Sequence, residues 1–425
     1  MKKLKVMPIV AAGIITLMGC NETTVKQTTE KAAIDLANLD TTMLPSSDFY
    51  QYACGGWMKN NPLKPEFARF GSFDQLRDEN LGQIRSLIKD LSDSPQHPGS
   101  VEQKIGLLYA MGMDSVKLNS EGHAPIQEQL DIINNLKTKD DVTKMVAMLH
   151  KEGMAPFFAL YVGADEKNSS MNIVQLYQSG LGIGDRDYYL LEDKNSQNLR
   201  EAYKGYITRL FTLAGYSAEQ AATAVDAILK IEKGIAKISF SREELRDSQK
   251  NYNKISIKDF KEKANPFNWD VYFESMGLME LKYVDAKQLP FYVGLEALMD
   301  NTTIEEQKAY LAFNLLSAAA PYLSDAFVDA NFEFYGKTLS GKQELQIRWK
   351  RVLSTVNSVL ADAVGQKYVA RYFPASSKEK MLKMVDDLQQ ALGERIAGLE
   401  WMSDVTKAKA QEKLSSFIVK IGYPE

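Results

Sequence analysis

Apolar residues recur at helical spacing along most of the chain. Eight long stretches carry apolar side chains at positions i, i+3 and i+4, which is the pattern of a helix with one buried face. The pattern predicts helices at 78–91, 101–113, 140–151, 196–214, 217–238, 304–319, 343–372 and 378–402. We therefore expect a mainly α fold.

Two short segments have the opposite character. Residues 157–162 and 172–178 are rich in β-branched and aromatic side chains, and a polar stretch at 163–171 separates them. This arrangement is typical of two strands joined by a turn. We expect a small β-hairpin beside the helices.

The segment from residue 46 to residue 80, SSDFYQYACGGWMKNNPLKPEFARFGSFDQLRDEN, fits neither pattern. Gly55-Gly56, Asn61-Pro62 and Lys64-Pro65 punctuate it, because glycine and proline commonly interrupt regular structure. Its first part is predicted to be an extended, tightly packed surface run that leads into a helix.

Composition limits the classes of partner. The 425 residues are 45% hydrophobic with a formal net charge of −4, so the chain can bury a large core or form two domains. No block of lysines and arginines recurs beyond the N-terminus. A nucleic-acid partner is rejected, because such a partner requires a basic surface.

The first twenty residues have the pattern of an export signal. Lys2, Lys3 and Lys5 precede an apolar run at 6–19, which is short for a membrane span. Cys20 closes a sequence similar to a bacterial lipobox, so residues 1–19 are predicted to be a lipoprotein signal peptide and Cys20 the lipidated residue. The alternative is an ordinary secretory signal.

If Cys20 is lipidated, the chain is a bacterial envelope protein with a membrane anchor. Residues 20–45 are polar and are predicted to be a tether to a folded body at 46–425. Asn21 after the cysteine favours the outer membrane, and a periplasmic location is the other possibility. Cys54 is then the one remaining cysteine, so no disulfide is expected within the chain.

Candidate catalytic chemistry is sparse. His97, His123 and His150 are far apart and none belongs to a His-Glu-x-x-His motif, so solvated or helix-capping roles are expected for them. There is no Gly-x-Ser-x-Gly motif either. We predict no catalytic residue and no metal ligand in these 425 residues.

Two glycine motifs imitate nucleotide-binding loops. After Gly180-Leu-Gly-Ile-Gly184 come Asp185 and Asp187, whose charges would repel a pyrophosphate, so we predict a tight turn in which both aspartates cap backbone amides. The second motif, 336–338, lacks the first glycine of a phosphate loop. It is predicted to be a turn that ends a helix.

Arg69 and Asp74 form a charged pair among aromatic residues. One interpretation is a structural ion pair, or a helix N-cap by Asp74. The other is a binding role, because an arginine can hold a peptide carboxylate through two parallel hydrogen bonds. The residues alone leave both open.

An ordered set of motifs resembles the neprilysin and endothelin-converting-enzyme family of zinc endopeptidases. The resemblance spans residue 46 to the last residue. Its motifs are Asp48-Phe49-Tyr50, Tyr52, Gly55-Gly56-Trp57, Arg69 to Asp74, 180–190, Tyr252-Asn253, Trp269, 320–323, 335–341, Arg348-Trp349, 399–402, Lys413-Leu414 and 421–424.

The resemblance implies a large helical cap domain that admits oligopeptides, with Arg69 and Asp74 lining the peptide cleft. It further implies a thermolysin-like catalytic half that supplies the zinc ligands and follows Ile421-Gly-Tyr-Pro424 in the family. The family's cysteine at the position of Cys54 often pairs with one near the far C-terminus.

Neither the zinc motif nor the family's Asn-Ala motif occurs in the 425 residues. The first interpretation is therefore the substrate-gating N-terminal part of a zinc endopeptidase, with zinc in the complete family enzyme and none bound by this chain. It expects Leu414, Phe417, Ile418 and Ile421 to be partly uncovered. The alternative is a catalytically inactive envelope protein that binds peptides or a partner through the cap.

Overall fold

The structure is a computed structural model that describes residues 35–265 and 267–424. The chain divides into two compact units, Met1–Pro62 and Leu63–Glu425. The predicted signal peptide and Cys20 lie outside the described residues, as does the tether up to residue 34.

In the first unit, helix α1 (Phe49–Asn60) follows a single 3-10 turn, Leu36–Asn38. Asp48 begins the helix, because its side chain accepts a hydrogen bond from Gln51 N at 2.9 Å. A Cβ atom on Gly56 would lie 2.3 Å from the carbonyl oxygen of Ala37. The prediction of an extended run is therefore wrong for residues 49–60, since the glycines mark a close approach of two backbones.

The second unit is mostly helical. Its first helices are α2 (Ser72–Asp93), α3 (Val101–Met113), α4 (Ser115–Glu121), α5 (Gln127–Asn134), α6 (Lys139–Lys151), α7 (Asp187–Leu190), α8 (Lys194–Leu213), α9 (Ala218–Ile238) and α10 (Ile257–Lys263). They are followed by α11 (Trp269–Met276), α12 (Leu289–Asp300), α13 (Ile304–Ala319), α14 (Asp325–Asn331), α15 (Arg348–Val359), α16 (Ala361–Tyr372), α17 (Ala375–Ala397) and α18 (Asp404–Ser415). A π-helical segment, Phe332–Leu339, continues α14.

The predicted mainly α class is confirmed. Helices α3 and α13 have the predicted bounds, and most of the others differ by a few residues. The prediction of one helix over 343–372 is wrong, because the backbone leaves helical geometry at Leu360 and separates α15 from α16.

A four-stranded sheet packs among the helices of the large core. Its strands are β1 (Phe158–Asp165), β2 (Asn168–Gln178), β3 (Lys254–Ser256) and β4 (Tyr283–Ala286), in the order β1-β2-β4-β3. The predicted hairpin is confirmed as β1 and β2, which pair antiparallel with Phe158 opposite Gln178. Strand β4 is parallel to β2 and antiparallel to β3.

The second unit contains two separate hydrophobic cores. The larger one holds the sheet and includes an aromatic cluster in which the ring of Phe158 lies 5.2 Å from the rings of Trp269 and Tyr272. The smaller one is formed by α2, α3, α15 and α16, through Ile84, Leu87, Ile88, Ile105, Tyr109, Val352, Leu353, Val356 and Val364. This smaller core holds the helix that follows Arg69.

No single helix of the described residues is long and apolar enough to cross a membrane. Segments Ile304–Tyr322 and Asp325–Leu339 meet the length and composition criteria only as a pair bent by 110°.

Candidate functional site

A buried lysine on α15 fixes the segment that precedes α2. The ammonium nitrogen of Lys350 lies 2.7 Å from Glu66 Oε1 and 2.6 Å from Asp78 Oδ1. Lys64 reaches the other oxygen of Asp78 at 2.8 Å. Lys350 thus holds residues 64–78 against α15 through two carboxylates, and Lys64 adds an ion pair within the segment.

Burial and ion pairing act in opposite directions on these groups. Burial tends to raise the pKa of Asp78, but hydrogen bonds from Lys350 and Lys64 keep that pKa below its usual value. Burial likewise tends to lower the pKa of Lys350, yet Asp78 and Glu66 hold it above the usual value. Both groups are therefore charged at neutral pH.

Backbone and aromatic contacts add to this attachment. The carbonyl oxygen of Pro65 accepts hydrogen bonds from the amides of Gln343 at 2.9 Å and Glu344 at 3.1 Å. The rings of Phe67 and Phe70 meet edge to face at 5.1 Å. The segment is consequently held on both sides of its midpoint.

Arg69 and Asp74 do not pair with each other in this setting. Asp74 lies in the first turn of α2, where it accepts a hydrogen bond from Gly71 N at 3.1 Å and contacts Arg77 at 3.4 Å. Arg69 is exposed and makes no hydrogen bond or ion pair with any residue that the structure describes. The interpretation of Asp74 as the N-cap is wrong, because α2 begins at Ser72 with Gly71 as its N-cap, and the Asp74 carboxylate instead accepts from the Gly71 amide from inside the first turn. The guanidinium of Arg69 remains available to a ligand.

Apolar side chains are exposed beside these charges. Phe73 is 81% exposed and Leu76 is 59% exposed on α2. A cation next to apolar surface can bind a carboxylate that carries an apolar side chain. The arrangement can bind and orient a peptide, and it offers no nucleophile or general base to a substrate.

The described residues do not provide a zinc site. They contain no group of three or more His, Cys, Asp or Glu side chains that could hold a metal ion. His97 is exposed, and His123 lies before a 3-10 turn. The part of the chain that the structure describes therefore supplies no set of zinc ligands.

The prediction of a solvated or capping role is wrong for His150. Its Nδ1 atom lies 2.6 Å from the hydroxyl of Tyr272, and its Nε2 atom lies 3.2 Å from the carbonyl oxygen of Pro156. Burial lowers the pKa of His150 to about 4. The ring is neutral at pH 7, with both nitrogens engaged inside the fold.

The loop at 180–184 is attached to a buried carboxyl group. Glu232 on α9 accepts hydrogen bonds from Tyr189 at 2.8 Å, Tyr203 at 2.9 Å and Gly182 N at 3.2 Å. Burial raises the pKa of Glu232 to about 7. The loop is therefore part of the structural core.

The predictions for the two glycine motifs have different outcomes. The tight turn is present, with φ of 98° at Gly180, and Asp185 accepts a hydrogen bond from Asp187 N at 2.8 Å. The predicted cap by Asp187 is wrong, because its carboxylate accepts no amide hydrogen bond from the residues that the structure describes and lies 3.9 Å from Arg186 Nε. The predicted helix-ending turn at 336–338 is wrong, because these residues lie inside the π-helical segment.

The residues that attach the 64–78 segment were not predicted from the sequence. In the sequence, nothing distinguishes these residues, Glu66, Asp78 and Lys350, from ordinary surface charges. Lys350 is also 272 residues from Asp78. The sequence does carry one signal, which is that Lys350 follows the Arg348-Trp349 motif.

The fold and the motifs place the chain in a class of peptidases. A family model described as peptidase family M13 matches residues 45–424. The chain belongs to peptidase family M13.

Individual relatives are longer than this chain. Endothelin-converting enzyme 1 of Mus musculus is 29% identical over 401 residues, which are 92% of this chain and 52% of that protein. The chain thus spans about half the length of the curated relatives it matches.

Solved structures of one bacterial relative match in two states. Zinc metalloprotease ZMP1 of Mycobacterium tuberculosis in complex with an inhibitor is 30% identical, with a TM-score of 0.84 over 90% of this chain and 58% of that chain. Its open state is 31% identical, with a TM-score of 0.77 over 90% of this chain and 59% of that chain.

Proposed function

We propose that the chain is the substrate-gating portion of a zinc metalloendopeptidase that cleaves oligopeptides. The observation that carries the proposal is the position of Arg69, whose guanidinium is exposed and unengaged among the described residues. Lys350 and Pro65 hold its segment in place, so the backbone that carries the cation is fixed in advance of binding.

In this proposal Arg69 binds a carboxylate of the peptide. Asp74 orients the segment, and its carboxylate accepts a hydrogen bond from the substrate. Asp74 is only partly used by Gly71 and Arg77, because its contact with Arg77 is long at 3.4 Å. Phe73 and Leu76 supply apolar contact beside the charges.

Gating is supported by the solved states of ZMP1, which include an inhibitor complex, an open state and a partial open state. A cap that opens and closes controls access to a cleft without taking part in the chemistry.

Zinc, in the proposed enzyme, is held by residues that follow Glu425 in the same protein, and it supplies activation of the attacking water. An apolar surface on α17 and the residues after α18 supports contact with that further part. Ile396 is the one buried residue that the structure describes on α17, while Leu388 is 64% exposed and Ile418 is 85% exposed. Leu414 and Ile421 are partly covered and Phe417 is exposed, as expected from the sequence.

We also propose that Cys20 anchors the protein in the bacterial envelope, with the outer membrane favoured. The support is the order of Lys2, Lys3, Lys5, an apolar run and Cys20 in the sequence. Metabolic labelling with an alkyne fatty acid should mark the protein. A Cys20→Ser variant that is labelled equally would overturn the anchor.

The substrate role of Arg69 is tested on the complete zinc-loaded enzyme with two internally quenched peptides, one ending in a carboxylate and one in an amide. Arg69→Gln should raise the KM of the acid by about tenfold or more, because hydrogen bonds to charged groups contribute about 1.5–3 kcal/mol. The KM of the amide should change little.

Arg77→Gln is the matched control, since Arg77 is also an exposed arginine at the start of α2. It should leave the KM of both peptides unchanged. Equal KM values for wild type and Arg69→Gln on the acid peptide would contradict the binding role, and an enzyme that cleaves neither peptide would contradict the peptidase.

A further inference from the structure

A polar cleft of about 460 Å³ lies between the π-helical segment and α15. Its polar lining includes Asn331, Ser340, Lys342, Arg351 and Ser354, and none of the described residues that line it is a carboxylate. Pro321, Tyr322, Phe332 and Tyr335 form apolar and aromatic walls.

The π-helical geometry shapes one wall of the cleft. Thr338 and Ser340 donate side-chain hydrogen bonds to the carbonyl oxygens of Glu333 and Tyr335, each five residues earlier. A Cβ atom on Gly336 would lie 2.3 Å from the ring of Phe332, so glycine allows that ring to fold down. Such π-helical turns occur frequently at functional sites.

Two cations of the cleft, Lys342 and Arg351, have no carboxylate partner among the residues that the structure describes. Nearby partly buried cations each contact one, as Arg348 does with Asp325 and Lys367 with Glu102. Lys342 makes no side-chain hydrogen bond or ion pair within residues 35–265 and 267–424.

Arg351 is the more constrained of the two cations. Its Nε atom donates to the carbonyl oxygen of Gln346 at 2.9 Å, and no carboxylate of the described chain lies within ion-pair distance. Burial and then the charge of Arg348 lower the pKa of Arg351, although Asp325 and Asp329 act to raise it. A partly buried cation in this position is stabilised by an added anion.

Arg351 also faces a second, smaller cavity. This cavity has a volume of about 250 Å³ and shares Arg351, Thr355, Pro321 and Tyr322 with the cleft. Its other lining residues are mostly apolar, including Leu108, Met111 and Val352. Arg351 thus lies between the polar cleft and the smaller, mostly apolar cavity.

We propose that the cleft between the π-helical segment and α15 binds the carboxylate of an organic acid that bears an apolar group, such as the C-terminus of a peptide. Arg351 binds the carboxylate, Lys342 adds a second charge and Ser354 a hydroxyl donor, while Tyr322 and Phe332 contact the apolar group. A site of this size suits one or two amino-acid residues. The suggestion that the carboxylate belongs to a peptide rests on the proposed function, whereas the binding of an organic acid with an apolar group does not.

The test is isothermal titration calorimetry on the purified full-length protein, without any peptidase assay. The probes are N-acetyl-L-phenylalanine, its amide and inorganic phosphate. The acid should bind at least about tenfold more tightly than the amide or phosphate, because only the acid offers both a carboxylate and an apolar group.

Arg351→Gln should weaken binding of the acid by about tenfold to a hundredfold, and Lys342→Gln should weaken it by a smaller factor. Arg209→Gln is the control, since Arg209 is an exposed arginine on α8 outside the cleft, and it should leave the affinity unchanged. Arg69→Gln is measured as well, to separate binding in the cleft from binding at Arg69. If Arg351→Gln does not fold, Lys342→Gln decides.

Equal binding of acid and amide would overturn the proposal, as would phosphate binding as tight as that of the acid. Loss of binding in Arg69→Gln with retention in Arg351→Gln would overturn it too. That last result would leave the proposed function standing, so the failures of the two proposals can be told apart.

Discussion

The ammonium nitrogen of Lys350 lies 2.7 Å from a carboxylate oxygen of Glu66, a residue 284 positions earlier in the chain. This contact joins α15 to the segment that carries Arg69. Because Asp78 on α2 shares the same ammonium at 2.6 Å, the position of Arg69 depends on residues far from it in sequence.

Lys350→Met should destabilise the protein by about 3 kcal/mol, because it leaves Glu66 and Asp78 partly buried without their main partner. Urea denaturation measures the change. Lys383→Met is the control, since Lys383 and Asp387 form an exposed pair, and it should change stability by less than about 0.5 kcal/mol. Equal effects of the two variants would contradict the role of Lys350.

Glu232 should make stability fall as pH rises. Its pKa is about 7 in the folded protein and near 4.5 when unfolded, so the folded state binds more protons between these values. The stabilisation is complete below pH 4.5 and on the order of 3 kcal/mol of it is lost by pH 7. In Glu232→Gln this pH-dependent loss of stability should be absent. Urea denaturation of the variant and of wild type at pH 5 and at pH 7.5 measures the difference. If the difference in stability between variant and wild type does not change with pH, burial does not raise the pKa of the Glu232 carboxyl.

His150 should have the opposite effect. Its pKa is about 4 when folded and 6.5 when unfolded, so the unfolded state binds more protons in that interval and stability is lost as pH falls from 6.5. In wild type this loss offsets the gain from Glu232. The stability of His150→Asn relative to wild type should therefore be higher at pH 5 than at pH 7.5, by about 2 kcal/mol, because pH 5 lies about 1.5 units below the unfolded pKa. An unchanged pH profile would show that the ring is solvated after all.

Gly56→Ala should loosen the first unit, because the new Cβ atom would lie 2.3 Å from a backbone oxygen. Overpacking of this kind costs about 1–3 kcal/mol. Hydrogen exchange measured by mass spectrometry should be faster in peptides from residues 48–60. Gly82→Ala is the control, since a Cβ atom there meets nothing within 4 Å, and it should stabilise α2 by up to about 1 kcal/mol. Protection of 48–60 equal to wild type would contradict the close approach.

Local patterns predicted the long helices well. The bounds of α3 and α13 follow from apolar periodicity with a side-chain cap, Ser100 or Thr303, before each helix. Helix α1 was missed because two adjacent glycines argue against a helix locally. Glycine is needed there because residues 37–40 pass close to both positions, and this tertiary contact is not visible in the local sequence.

The candidate site was predictable only in part. The sequence motif identified Arg69 and Asp74 as candidates. Nothing near them in sequence indicates that Asp74 contacts Gly71 and Arg77, or that Arg69 makes no hydrogen bond or ion pair with the described residues. His150 was correctly placed near a helix end, whereas its hydroxyl partner, Tyr272, lies 122 residues away. Strands β3 and β4, three and four residues long, were missed because their pairing is also long-range.

We have proposed that this chain gates a zinc peptidase whose metal ligands lie further along the same protein. The decisive measurement is to sequence the gene downstream of the codon for Glu425. We expect an in-frame Asn-Ala motif followed by His-Glu-x-x-His and a further glutamate. A stop codon directly after Glu425 would contradict the claim, and binding of peptides by an inactive cap would then be the function to measure.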